Sequence, residues 1–478
     1  MNTNTREGIG VQAEPAILVG VRLPRSRMDH EAPLGELAAL AETAGAKVVG
    51  ELLQNRVAPE GRTYIGKGKV TELVAMTAEL GARVVIFDNE LSPSQIRALE
   101  EELKVKVIDR SELILDIFAN RATTREAQLQ VEIAQLQYTA PRLRAMWSHL
   151  GQVTGGAPVG VGTRGPGEQQ LEVDRRIVAR KLVSLRRELD EVQVRKAREV
   201  EVRRAEHFTV GIVGYTNAGK STLFNALTSG GAYVADKLFA TLMTRVERWS
   251  IGGANGVLLS DTVGFVRDLP HHLVASFRAT LEDAIHAHAL VIVLDASDRE
   301  APSQLETVRG VLEEVGANTQ PHLLLLNKID RIASLPFDAR QSLRTLAEWE
   351  EREPGAIPIS AVTGEGLEAL RERVRALVTG GPRRRSIRIP ISNARLIDAI
   401  EKRCAVLDRR YTEDEAELIV EIGDKQIEAL LPLGERFLVD GADPRPQRAA
   451  WGVSGIRRRA PHLQDSDAAR VETDDSDE

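Results

Sequence analysis

The segment Gly214-Tyr215-Thr216-Asn217-Ala218-Gly219-Lys220-Ser221 decides the fold. It has the spacing G-x-x-x-x-G-K-[ST], it follows the apolar run FTVGIV (208–213), and it opens the amphipathic stretch STLFNALT (221–228). A strand that turns through glycines into a helix aims consecutive backbone N–H groups, and the positive end of the helix dipole, at an anion. In such a loop Lys220 neutralises charge on the β- and γ-phosphates, the Ser221 hydroxyl ligates Mg2+, and Thr222 is a further candidate nucleotide contact on the first helical turn.

Further motifs follow in a fixed order. Asp261-Thr262-Val263-Gly264 comes after the apolar run VLLS (257–260). Asp261 there holds a Mg2+-bound water, and the Gly264 amide senses a γ-phosphate. Asn327-Lys328-Ile329-Asp330 comes after LLLL (323–326). Asp330 can accept from both N1–H and the 2-amino group of guanine. Adenine has no 2-amino group and would leave the carboxylate partly unpaired, so the base is guanine and the substrate GTP. Asn327 ties this loop to the phosphate loop, and the stem of Lys328 covers the base. Ser360-Ala361 follows AIPIS and offers a backbone N–H to guanine O6. The loop that closes on the γ-phosphate lies between the first helix and Asp261. Within LFATLMT (238–244) Thr241 is the candidate ligand for Mg2+ and γ-phosphate, Phe239 is a candidate nucleotide contact, and Thr244 is the competitor to Thr241. Phe265 stands where many GTPases carry a water-orienting glutamine, so a partner must complete the hydrolytic site. Asn217 has two readings, a potassium ligand or a loop-stabilising amide.

Outward from this centre the chain divides. Residues 207–378 form an α/β nucleotide domain. Residues 16–111 alternate apolar runs (16–21, 47–50, 83–87, 105–109) with amphipathic stretches (34–45, 69–80, 93–103), which predicts a small parallel α/β domain. Ser92, Pro93 and Gln95 form a capping box with proline at the first helical position. Across 112–206, Leu129, Ile133, Leu136, Ala140 and Leu143, then Val178, Leu182, Leu185, Leu189 and Val192, give two apolar seams of long helices. The Gly- and Pro-rich 151–167 separates them, which predicts a helical hairpin. Residues 383–441 read as a small α+β module, with strands at 386–391 and 417–422 and a helix over 394–407. The ends, 1–15 and 442–478, lack the apolar content to fold.

Composition sets bounds on partners. The chain has 478 residues, 42% apolar and 4% aromatic, so its cores are aliphatic. A net charge of −7 excludes a generic polyanion binder and leaves nucleic-acid contact to local patches. A single cysteine, Cys404, excludes an intrachain disulfide and fits a reducing compartment. No run approaches a membrane span, and no signal pattern opens the chain, which reads as cytoplasmic. From Ile133 to Gly167 there is no Asp or Glu, while Tyr138, Arg142, Arg144, Trp147, His149 and Arg164 lie in or beside the hairpin tip. That patch suits RNA, or else is a flexible loop with its Trp packed on the helices. Gly66-Lys67-Gly68-Lys69 lacks full phosphate-loop spacing and reads as a turn capping the next helix. Arg383-Arg384-Arg385 reads as a solvated linker run, with phosphate contact the other reading.

With these motifs placed, the chain resembles the HflX family of ribosome-associated GTPases from Ala16 to Leu377. The resemblance rests on RTYIGKGKV (62–70), FDNELSPSQIRALE (87–100), VIDRSELILDIFANRATTREAQLQVE (107–132), LQYTAPRLRAMW (136–147), GTRGPGEQQLEVDRR (162–176), ADKLFATL (235–242) and DTVGFVRDLPHHLVASFRATLED (261–283). It implies binding to the large ribosomal subunit and its RNA and to whole ribosomes, as a monomer. It also implies splitting of stalled ribosomes, with the hairpin tip reaching toward the peptidyl transferase centre and GTP hydrolysis releasing the factor. The family's hydrophobic residue after DxxG matches Phe265. Departures are Gln169 and Val173, where the family has threonines, and Met243, where it often has aspartate. A GTP-timed assembly factor shares every motif. An RNA-binding scaffold with a vestigial nucleotide domain is opposed by intact Lys220, Ser221, Asp261, Asn327 and Asp330.

Overall fold

The computed structural model describes residues 14–24, 28, 32–147, 166–228, 238–239, 244–252, 256–267, 281–317, 319–332, 334–337, 340, 343–433 and 436–445. They belong to two compact units, Met1–Leu377 and Val378–Glu478. Among the described residues no helix is long and apolar enough to cross a membrane.

The first unit opens with β1 (Pro15–Arg22), α1 (Gly35–Ala44), β2 (Lys47–Asn55), α2 (Lys67–Leu80), β3 (Val84–Phe87), α3 (Pro93–Leu103) and β4 (Lys106–Asp109). The strands form a parallel sheet in the order β2-β1-β3-β4. Its strands are apolar on both sides because helices cover both faces. Leu18, Ile86 and Ile108 pack with Leu37 and Leu40 of α1, while Ile17, Val19, Val85 and Phe87 pack with Leu73 of α2 and Leu99 of α3. The capping box at Ser92 and Gln95 is formed as predicted, with proline in the first turn. Gly66 is the residue preceding α2, so the Gly-Lys-Gly-Lys run is the helix start. β2 runs on to Asn55, beyond Gly50.

Next comes α4 (Arg110–Arg121), at the head of the stretch read as hairpin. Leu113, Ile114, Leu115, Ile117 and Phe118 pack into the core on the α1 side of the sheet. The hairpin itself is α5 (Arg125–Trp147) and α6 (Pro166–Glu206). Leu129, Ile133 and Leu185 form its buried seam, with Leu136, Leu182, Leu189 and Val192 beside it. Glu126 pairs with Lys196 and Glu132 with Lys181, so the helices run antiparallel. The hairpin tip, 148–165, lies outside the described residues.

The nucleotide domain contains β5 (Thr209–Gly214), α7 (Lys220–Leu227), β6 (Arg245–Ser250), β7 (Gly256–Asp261), α8 (Glu282–Ile285), β8 (Ala289–Asp295), α9 (Ala301–Val315), β9 (His322–Asn327), α10 (Ile329–Ile332), α11 (Leu346–Arg352), β10 (Ile357–Pro358) and α12 (Leu367–Thr379). Sheet order is β10-β9-β8-β5-β7-β6, parallel except for the β6–β7 pair. Loops leave the carboxyl ends of β5, β7, β9 and β10 side by side, the usual place for a ligand in an open α/β sheet.

The second unit has β11 (Arg383–Pro390), α13 (Ala394–Arg403), β12 (Ala405–Tyr411), β13 (Glu415–Ile422), α14 (Asp424–Leu430) and β14 (Leu438–Val439), with sheet order β12-β13-β11-β14. Two expectations are corrected here. The helix expected over 394–407 stops at Arg403, because Cys404 turns extended and Ala405–Tyr411 pairs with β13. The run Arg383–Arg385 is the start of β11 rather than a linker. It pairs with Val420–Ile422, and the Arg385 guanidinium is salt-bridged to Asp424.

The candidate nucleotide site

Gly214 ends β5, and the phosphate loop turns from there into α7. Gly219 has φ 91°, and a Cβ there would fall 2.4 Å from Asn327 Nδ2, so only glycine fits. Asn217 also has positive φ, at 59°, and is exposed. Lys220 is buried, and its Nζ donates to the Tyr215 carbonyl at 2.7 Å. Burial pushes its amine down to about 8; Asp261 opposes the fall and Lys328 adds to it. An ammonium that burial makes costly is relieved by a polyanion, as a phosphate-binding lysine requires. The Ser221 hydroxyl donates to Asp261 Oδ2 at 2.8 Å. These two oxygens, on the first turn of α7 and the end of β7, are the hard donors expected around Mg2+.

The guanine-reading loops are joined through one side chain. Asn327 Nδ2 donates to the Ala218 carbonyl at 2.8 Å, the predicted tie to the phosphate loop. Its Oδ1 accepts from the Ala361 N–H at 3.0 Å. That amide, expected to face guanine O6, is therefore turned to Asn327 in this structure. Ser360 is fully buried and Lys328 Nζ pairs with Asp295 at 2.7 Å. Asp330 is exposed at the start of α10, so any penalty for a wrong base arises only once the base itself covers the carboxylate.

Gly264 lies against the phosphate loop. A Cβ built on it would be 2.7 Å from Thr216 Cγ2 and 2.8 Å from Lys220 Nζ. The next residue is zipped to the same loop: Thr216 N donates to the Phe265 carbonyl at 2.7 Å and Phe265 N to the Gly214 carbonyl at 3.1 Å. The Phe265 ring is buried with Tyr215, Leu281 and Leu290. It is core, and it offers water no hydrogen bond. Thr244 is described and half-buried, whereas Thr241 lies outside the described residues. Phe239 does not join the nucleotide loops. It has φ 55°, and its buried ring meets Phe118 of α4 edge-on at 4.6 Å, with its carbonyl accepting from Arg121. In this arrangement the ring packs in the core beside α4 and not against the phosphate loop.

Four charged residues, none apparent from the motifs, adjoin the site. Tyr215 Oη donates to Glu36 Oε1 at 2.5 Å and accepts from the Arg267 N–H at 2.7 Å. Glu36 pairs with Arg110 at 2.8 Å, and Arg110 with Asp88 at 2.7 Å. Burial works against the Glu36 carboxylate, yet Arg110, Arg267 and the Tyr215 hydroxyl hold it below its ordinary range. The only sequence signal was position: Asp88 and Arg110 each directly follow a buried strand.

A strand–loop–helix phosphate cradle, an aspartate beside its serine and an asparagine-bridged base loop define a P-loop GTPase. Comparison with family models matches the chain along its length: a GTP-binding GTPase N-terminal domain over 31–119, a GTPase middle region over 121–204, a model described as 50S ribosome-binding GTPase over 209–328, and an HflX C-terminal domain over 345–446. The chain is 40% identical over 396 residues to GTPase HflX of Escherichia coli, covering 81% of this chain and 90% of that protein. It is 45% identical over 341 residues to GTPase HflX of Alkalihalophilus pseudofirmus, covering 71% and 80%. Among solved structures it is similar to a GTP-binding protein of the archaeon Sulfolobus solfataricus in complex with GDP, at 26% identity and a TM-score of 0.40, covering 76% of this chain and 98% of that one. The chain belongs to the HflX family of GTPases.

Proposed function

We propose that this GTPase binds the large ribosomal subunit and splits or rescues stalled ribosomes, acting as a cytoplasmic monomer in a Mg2+-dependent GTP cycle. The observation that carries the reading is the hairpin. α6 is 41 residues long, and only two residues separate it from β5, whose last residue opens the phosphate loop. At its far end the chain runs from Ile133 to Gly167 without an acidic residue. A long arm with an acid-free, arginine-bearing end suits the phosphates and bases of ribosomal RNA. The match to a model described as a 50S ribosome-binding GTPase supports the same partner.

Ser221 would ligate Mg2+ directly and Asp261 through a bound water, with Thr241 joining as a ligand when the γ-phosphate is bound. The ion supplies charge neutralisation at the phosphates. Lys220 holds the phosphates, the Gly264 amide reports on the γ-phosphate, and Asp330 selects guanine. Because the Phe265 ring is buried, the hydrolytic water is completed by the ribosomal partner. Should Asn217 hold K+, turnover in K+ exceeds that in Na+. The test is sedimentation of intact ribosomes after incubation with the protein, Mg2+ and GTP. Free subunits are expected, and none with Lys220→Ala. Intact ribosomes alongside an active GTPase refute splitting; co-migration with subunit precursors alone favours an assembly role.

A further inference from the structure

We infer that the Tyr215 hydroxyl and Glu36 set the relative affinity for GTP and GDP, by latching the segment after Gly264 to the N-terminal domain. The first observation is the crowding at Gly264. Its backbone lies against Lys220, since a Cβ built on it would fall 2.8 Å from Lys220 Nζ, and a phosphate that contacts both must part them. Lys220 Nζ is held by the Tyr215 carbonyl at 2.7 Å, so Gly264 is the side that yields to a γ-phosphate.

The second observation is how firmly the chain three residues later is held. The Arg267 N–H donates to Tyr215 Oη at 2.7 Å and approaches Glu36 Oε1 at 3.3 Å. Its carbonyl accepts from Arg110 at 3.1 Å. Its guanidinium sits 3.5 Å from Glu36 and 3.4 Å from Asp88. Both backbone polar groups and the side chain are thus tied to α1, to the residue closing β3, to the start of α4 and to the phosphate loop. Tyr215, Asp88, Arg110 and Arg267 are all buried, and broken hydrogen bonds among buried groups are costly. Outward movement of Gly264 strains this latch, whereas GDP, lacking the γ-phosphate, leaves it intact. The latch therefore favours GDP. By linkage the same coupling loosens the N-terminal domain's hold on the segment when GTP is bound.

Tyr215 and Glu36 are positioning residues, acting through Arg267 and Gly264. Calorimetry on the full chain with GDP and with a non-hydrolysable GTP analogue tests the role. Tyr215→Phe keeps the buried ring and removes the hydroxyl. The ratio of analogue to GDP affinity should rise about five- to tenfold, the scale of one buried hydrogen bond. Glu36→Gln should shift it the same way by less, and decides the matter if Tyr215→Phe does not fold. A merely structural role would weaken both nucleotides equally. An unchanged or lower ratio overturns the proposal. The assay contains no ribosome, so its outcome is independent of the ribosome reading.

Discussion

Asn327 is the place where a small change should cost most. Its side chain is 2% exposed and makes two hydrogen bonds, to the Ala218 carbonyl at 2.8 Å and from the Ala361 N–H at 3.0 Å. Ala218 and Ala361 are themselves 1% and 7% exposed, so water cannot replace what is lost. Asn327→Ala leaves one buried acceptor and one buried donor unsatisfied, at about 1–3 kcal/mol each, or roughly 2–6 kcal/mol together. For a domain of this size each kcal/mol lowers the melting temperature by about 2–4 °C. The nucleotide-free protein should melt roughly 4–24 °C lower. Asn327→Asp is the sharper variant. It can still accept from Ala361 but sets a carboxylate oxygen against the Ala218 carbonyl, so a comparable loss is expected despite nearly identical shape. Differential scanning calorimetry reads stability, and titration with GDP reads whether the phosphate loop keeps its geometry. A melting temperature within about 2 °C of the parent, with unchanged GDP affinity, would refute the claim that Asn327 braces both loops.

Lys220 and Asp330 give two more predictions. With burial pushing the Lys220 amine down to about 8, and bound phosphates raising it, GDP binding takes up a proton in alkaline solution. Affinity should be flat below about pH 7 and about fourfold weaker near pH 8.5. In the same window the nucleotide-free fold gains stability as pH rises from about 8 toward the unfolded lysine value, because the unfolded chain binds the extra proton. Calorimetry in buffers of different ionisation enthalpy would show the uptake, and a pH-independent affinity would exclude it. Asp330→Asn should cost guanine nucleotide about tenfold or more and improve xanthine nucleotide binding. Retained guanine preference in competition titrations would move the base-reading role elsewhere.

Local chemistry made much of this molecule legible in its sequence. The phosphate loop, the Asn327 tie and the capping box at Ser92 each depend on residues close in sequence or on a fixed motif, and each is formed. The α5 and α6 seams were legible because helical periodicity survives over many turns. What escaped reading depends on distant partners. Ala405–Leu407 continues an amphipathic helix as written; the pairing of Ala405–Tyr411 with β13 makes the segment a strand. Arg383–Arg385 looks like solvated linker until Val420–Ile422 supplies a ladder. Glu36, Asp88, Arg110 and Arg267 form a buried charged group whose members lie up to 231 residues apart, as in the approach of Arg267 to Glu36. No local pattern marks such a set, since each residue alone resembles an ordinary surface charge.

The junction between α6 and β5 has a mechanical consequence. At 1.5 Å per residue a 41-residue helix is a rod about 60 Å long. Along the chain it passes into the central sheet through two residues, His207 and Phe208. The first is fastened to Arg203 by its backbone N–H and the second is stacked on His288 at 4.9 Å. Arg203 is in turn salt-bridged to Asp283. A joint this short and this braced has little slack. A load on the rod is therefore carried close to the strand that ends at Gly214, where the backbone turns into the phosphate loop.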